Sequence, residues 1–212
     1  MRLYIRPIAP NVLKVLIFMA ERGIEIETID VEDLAPEEYG RISPLRTVPA
    51  LETDSGLVVT ESLTICQYLD QAFPGSSLFG EGLEERTLVA LWERRAELML
   101  MNPAIEYGHH CQPMFEGRLA QYPDWAKANV EQSDKLLGLM EARLVESRCL
   151  ASERFTMADV TAYLGVAGLV GWGAVEPARG PGLDRWLGET GARPSMAPLR
   201  ALAAQFGLKL PS

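Results

Sequence analysis

In the stretch RPIAPNVLK, residues 6–14, the side chain able to do chemistry is Asn11. The stretch joins a strand-like run, Leu3-Tyr4-Ile5, to a helix-like run, VLIFMAERG. The residue at the tip, Ala9, has neither hydroxyl nor thiol and can supply no nucleophile or donor. The Asn11 carboxamide carries an NH2 donor, and a helix start adds further N–H groups and a dipole that favours negative charge. That set suits an anion at this junction. The competing reading of Asn11 is an N-cap that only starts the helix.

A second such place is Glu61-Ser62, which opens the helical pattern ESLTICQYLDQAF. Helix-start N–H groups and a hydroxyl attract a carboxylate, and the Glu61 carboxylate can accept an ammonium. The pair therefore complements a zwitterionic amino-acid end; ordinary N-terminal capping is the other reading. Val48-Pro49 begins the strand-like VPALET and suits a cis X–Pro turn, since the cis form costs only about 0.5–1 kcal/mol. A trans proline on an edge strand would fit the same residues. His109-His110-Cys111 looks like a metal cluster, but neighbours on a helix point about 100° apart and no further ligand is near, so no metal is expected. His110 and Tyr107 are better placed to line a pocket. Met99, Met101 and Met114 suit core or a plastic pocket wall. Thr156-Met157-Ala158-Asp159 has the spacing of a capping box, with Asp for the usual Glu, and Asp159 reads as a structural cap.

These residues must be held by elements that the pattern also predicts. RLYI is a strand, and residues 11–23 a helix stopped by Gly23. In that helix only Lys14, Glu21 and Arg22 break the apolar cover, so it should be buried on more than one side. EIETIDV is a second strand, with Ile24, Ile26 and Ile29, and APEEYGRIS a short helix or turn. VPALET and LVVTE form a hairpin over Asp54-Ser55-Gly56. ESLTICQYLDQAF places Ile65, Cys66, Leu69, Ala72 and Phe73 on one stripe, ended by Pro74-Gly75. Pro74 to Gly82 reads as a linker. Beyond it strand signals fade into long amphipathic helices, LEERTLVALWERRAELMLM and DWAKANVEQSDKLLGLMEARLVES, a more apolar central one, FTMADVTAYLGVAGLVGWG, and shorter ones split by Pro194 and Pro198.

The chain has 212 residues, 48% hydrophobic and 23% charged, the profile of an ordinary globular protein with a real core. A formal charge of −9 argues against nucleic acid as a partner. Cys66, Cys111 and Cys149 are scattered and fit free thiols in a reducing compartment. MRLYIRPIAP lacks a signal-peptide core, and no apolar run reaches the roughly 20 residues of a membrane span. A cytoplasmic protein without a membrane partner is expected.

The ordered set SPLRTVPALET, VVTESLTICQYLDQAFP, FTMADVTAYL and DRWLGETGARPS resembles the glutathione transferase superfamily over essentially the whole chain. The resemblance implies an α/β thioredoxin-like glutathione-binding domain over 1–76, a linker over 77–86 and an all-α domain over 87–212, a homodimer, and glutathione as co-substrate. It implies that Val48, before Pro49, holds the cysteinyl backbone, that Glu61 and Ser62 hold the γ-glutamyl end, and that Arg46 or Thr47 meets the glycine carboxylate, where relatives often carry Lys. Many relatives have Ser or Cys at the position of Ala9, beside the glutathione sulfur. The order Ala9-Pro10-Asn11 resembles the nu-class transferases and the related fungal prion-forming nitrogen regulator, which implies disulfide reduction or peroxidase chemistry. Asn11 would then stabilise the thiolate. A free thiol has a pKa near about 8.5; lowering it by one unit takes about 1.4 kcal/mol, and one hydrogen bond to an anion supplies about 1.5–3 kcal/mol. The second substrate would be a small electrophile, disulfide or peroxide near Tyr107 and His110. The alternative is a catalytically weak glutathione-binding or regulatory protein of the same fold; an isomerase of the maleylacetoacetate type lacks its Ser-rich stretch around Ala9.

Overall fold

The computed structural model describes residues 1–176 and 180–211. Its internal packing divides the chain into two compact units, Met1–Ser77 and Leu78–Ser212.

The first unit runs β1 (Arg2–Ile5), α1 (Pro10–Arg22), β2 (Glu27–Asp30), α2 (Pro36–Ile42), β3 (Ala50–Glu52), β4 (Val58–Thr60) and α3 (Ser62–Ala72). Its sheet has the order β2-β1-β3-β4, with β1 parallel to β2 and the other pairs antiparallel. This is a thioredoxin-like arrangement. Side chains alternate faces along a strand, so β1 serves two layers. Tyr4 packs with Val31, Tyr39 and Ala50 on the α2 face. Leu3 and Leu51 stand in register on the opposite face, both fully buried, where α1 and α3 pack on each other. The expected hairpin turn is present: Gly56 has φ +80° and donates its N–H to the Thr53 carbonyl at 3.0 Å. A positive φ there is strained for other residues, which is why glycine follows Asp54-Ser55.

Helix α1 is buried more deeply than its polar residues suggest. Lys14 has 0% exposure and Arg22 shows only 4% of its side chain. Arg22 pairs with Asp70 of α3 and donates to the Phe73 and Pro74 carbonyls at 3.0 and 3.2 Å. Long aliphatic stems let both side chains lie along apolar surface. On α3, Ile65, Cys66 and Leu69 are buried as expected, but Ala72 at the last turn is exposed.

The second unit contains α4 (Gly82–Ala96), a π-turn over Glu97–Met101, α5 (Asn102–Cys111), α6 (Pro123–Glu146), α7 (Met157–Gly171), α8 (Pro181–Gly191) and α9 (Ala197–Phe206). Helix α7 is buried on nearly every side and is the centre of the unit. The run expected as one helix over 83–101 is instead widened at its end. Pro103 has no N–H to give the Met99 carbonyl four residues back. The Ser133 hydroxyl of α6, fully buried, donates to that carbonyl at 2.7 Å. Met101 lies in the core while Met114 is 45% exposed, so the methionines do not form one group. Pro194 lies in a 3₁₀ turn, and Pro198 opens α9.

Asp159 anchors the start of α7. Its Oδ2 accepts from the Thr156 N–H and hydroxyl, each at 2.9 Å, closing the capping box. Its Oδ1 accepts from the Leu150 N–H at 3.0 Å and from Trp186 Nε1 at 2.9 Å. Full burial raises its pKa, and the four donors work against that rise. Burial, with the nearby Asp159 charge, also pushes the Cys149 thiol up to about 12. Cys66, Cys111 and Cys149 form no disulfide.

Two predictions follow the packing of this unit. Gly165 of α7 lies against the π-turn: a β-carbon there would sit 2.5 Å from Leu100 Cβ and 2.7 Å from the Met101 nitrogen. Alanine would gain about 1 kcal/mol of helix propensity, but a clash with backbone costs about 1–3 kcal/mol, so the clash wins. Gly165→Ala lowers the urea midpoint; an unchanged or higher midpoint would refute the close packing. Glu85 accepts from Arg154 Nε at 2.7 Å and from its terminal nitrogen at 2.8 Å. Those bonds, led by Arg154, bring its pKa from 4.5 to about 2. A carboxyl depressed in the folded state stabilises fully above its unfolded pKa and loses that contribution as pH falls through the folded one. Glu85→Gln is therefore less stable at neutral pH and has a shallower stability loss between about pH 4.5 and about 2; equal slopes for both proteins count against the pair.

Candidate functional site

Strand register brings the expected site residues of the first unit to one sheet edge. Tyr4 of β1, Ala50 of β3 and Thr60 of β4 lie in one row across the sheet. The segments just beyond this row are Arg6–Asn11, Val48-Pro49 and Glu61-Ser62, so all three emerge together. Helices α1 and α3 both begin there, and each contributes the positive end of its dipole.

At the first helix start the N-cap is Ala9, with extended backbone and no side-chain cap. Asn11 lies one residue inside Pro10, so it is not the capping residue. Its side chain does something else: Asn11 Oδ1 accepts from the Ser62 hydroxyl at 2.9 Å. The contact ties α1 to α3 across 51 residues of sequence. An amide oxygen held on one side leaves the NH2 on the other. The Ala9 carbonyl accepts from Val12 and Leu13 at 2.9 and 3.1 Å, starting the helical ladder, while the Asn11 N–H, in the first turn, has no i−4 carbonyl within α1.

Ser62 is 5% exposed and Glu61 is exposed beside it. Glu61 has φ +68° and ψ 117°, a conformation that costs a non-glycine residue roughly 1–3 kcal/mol. Such strain persists where surrounding structure enforces it.

The Val48-Pro49 peptide bond is cis. Pro49 is buried, Val48 half-buried, and Arg46 and Thr47 exposed. The Thr47 carbonyl accepts from the Tyr39 hydroxyl at 2.6 Å and from Ser43 Oγ at 3.2 Å. Sequence reasoning did not find these two supports; their signal is the i, i+4 spacing of Tyr and Ser on one face of the short helix and its end. Arg46 has φ +54° and lays its side chain back on α2: a β-carbon on Gly40 would lie 3.2 Å from Arg46 Nε.

In the second unit, His110 Nε2 meets Glu106 Oε2 at 3.1 Å, and Nδ1 accepts from the Tyr122 N–H at 3.3 Å. Its ring meets Tyr122 and Trp125 edge to face. Both nitrogens are thus engaged between α5 and the start of α6. Tyr107, on the same helix, is half-buried. His109 packs edge-on against Phe115 instead of joining His110 and Cys111. Among the described residues no group of three or more His, Cys, Asp or Glu could hold a metal.

Comparison with known proteins gives the family. Residues 8–72 match the family model described as glutathione S-transferase, N-terminal domain. Glutathione S-transferase 2 of Saccharomyces cerevisiae is 30% identical, over 94% of this chain and 89% of its own. A probable glutathione S-transferase, GSTF2 of Oryza sativa, is 30% identical over 95% of this chain and 96% of its own. Among solved structures, a glutathione S-transferase domain-containing protein of Marinobacter aquaeolei aligns with a TM-score of 0.84 at 32% identity, covering 93% of this chain and all of that one. Yeast Gtt2 aligns with a TM-score of 0.83 at 26% identity, covering 95% and 100%. The chain belongs to the glutathione S-transferase family. It is a glutathione transferase, and glutathione is its co-substrate.

Proposed function

We propose that this transferase uses glutathione as a thiol against a small electrophile, disulfide or peroxide, with the thiolate stabilised by the Asn11 carboxamide and the start of α1. One observation carries the proposal: Asn11 is not spent on capping its helix, and its oxygen is already held by Ser62. Its NH2 is then the side-chain donor at the tip where Ala9 offers none. The first unit binds glutathione: Val48 pairs with the cysteinyl backbone, Glu61 accepts the γ-glutamyl ammonium, and the exposed Arg46 and Thr47 flank the glycine end. The strain at Glu61 supports a binding role there. Tyr107 and His110 are assigned to the second substrate; the half-buried ring of Tyr107 supports that for Tyr107. For a disulfide, the thiolate attacks one sulfur and expels the other as thiolate, leaving a mixed disulfide that a second glutathione resolves.

Cysteines that form no disulfide, with no helix among the described residues long and apolar enough to cross a membrane, support a cytoplasmic setting. A homodimer is supported by the exposed stripe Leu88, Leu91 and Leu98 at helical spacing along α4 and the π-turn. Sedimentation that gives the mass of two chains, and that falls to one chain in Leu91→Glu, checks this; a wild-type monomer removes it.

Glutathione-dependent turnover of a dialkyl disulfide, a hydroperoxide and an aryl halide tests the chemistry. Asn11→Ala loses about tenfold or more near neutral pH, since one lost unit of thiol acidity is a factor of ten. Ala9→Ser gains aryl-halide conjugation by adding a hydroxyl beside the sulfur. No turnover with any of the three, together with calorimetric glutathione binding, would leave the second reading, a catalytically weak binding protein, for which Ala9 is the motivating residue.

A further inference from the structure

The hydroxyl of Ser62 carries one proton, and the structure shows where it goes: to Asn11 Oδ1 at 2.9 Å. A serine hydroxyl is a single donor, so this bond competes with donation to a ligand carboxylate. The side chain is 5% exposed and sits at the first position of α3. A carboxamide can turn about its last bond, exchanging an oxygen that repels an anion for an NH2 that attracts it. Whatever fixes that choice decides whether Asn11 helps or hinders a thiolate.

We propose that Ser62 is a positioning residue for the thiolate: by donating to Asn11 Oδ1 it holds the carboxamide with its NH2 turned to the sulfur. The inference rests on the reading of Asn11 given above and assigns Ser62 a role other than holding the γ-glutamyl end. Donation to the amide oxygen also polarises the amide, so the two bonds in series, Ser62 hydroxyl to Asn11 and Asn11 to sulfur, strengthen each other. The carboxylate of the γ-glutamyl end is then left to the N–H groups that open α3, which accept such a group without the hydroxyl. Binding and activation thereby separate: the backbone of α3 holds the amino-acid end, and the Ser62 side chain acts on the reacting end through Asn11.

The test is a titration of bound glutathione by thiolate ultraviolet absorbance in the wild type, Ser62→Ala, Asn11→Ala and the double variant, with calorimetry of S-methylglutathione, which has no ionisable thiol. Ser62→Ala is expected to raise the bound thiol's pKa by about one unit, with turnover falling about tenfold on the acid side of that pKa and recovering at alkaline pH. Affinity for S-methylglutathione changes by less than about threefold, and the double variant resembles Asn11→Ala alone, as members of one chain of bonds do. Ser62→Thr, which keeps a hydroxyl, restores the wild-type titration; where its extra methyl prevents folding, the double-variant comparison decides. An unmoved thiol in Ser62→Ala beside a shifted one in Asn11→Ala overturns this inference alone. Weaker S-methylglutathione binding with an unmoved thiol assigns Ser62 to the γ-glutamyl end and overturns it too. An unmoved thiol in Asn11→Ala overturns the Asn11 reading and this inference with it.

Discussion

The proposed site depends on one hydrogen bond between two helix starts. Ser62 and Asn11 stand 51 residues apart, and the role proposed for each depends on the other. Alignment of β1, β3 and β4 sets the two helix starts side by side, and the bond then fixes how the carboxamide faces. The buried Arg22–Asp70 pair, with Arg22 on the Phe73 and Pro74 carbonyls, clamps the far ends of α1 and α3. The two hydroxyls on the Thr47 carbonyl brace the segment that leads into Pro49.

Much of the architecture is legible in the sequence because its signals are local. Apolar alternation marks the strands, Gly23 and Gly56 mark backbone that only glycine adopts cheaply, and Thr156 and Asp159 lie three apart as a capping box must. Less legible is what depends on partners distant in sequence. A lysine in a helix pattern reads as solvent-facing, yet Lys14 is fully buried, because whether a long stem has apolar cover is decided by the layers above it. The π-turn before α5 is invisible in the apolar pattern. It arises from Pro103 and is satisfied by a serine from another helix.

The site shows the same division. Residue types and order point to Asn11, Glu61, Ser62 and Val48-Pro49. They do not tell a capping asparagine from a working one, since both begin a helix. The structure adds two facts of geometry: Ala9 occupies the cap, and the Asn11 Oδ1 accepts from Ser62. His110 is the converse case. The sequence suggests a ring lining a pocket, and what it does not show is that Glu106, Tyr122 and Trp125 engage His110 from its own helix and the next.

The burial of Cys149 has a consequence for a protein whose co-substrate is itself a thiol. With its pKa pushed up to about 12, its sulfur is ionised at neutral pH in roughly one molecule in 10⁵. A disulfide in the surrounding solution finds almost no nucleophile there to capture, and Cys66 is sealed from solvent altogether. The enzyme can thus stand among thiols and disulfides without becoming covalently decorated by glutathione at either position.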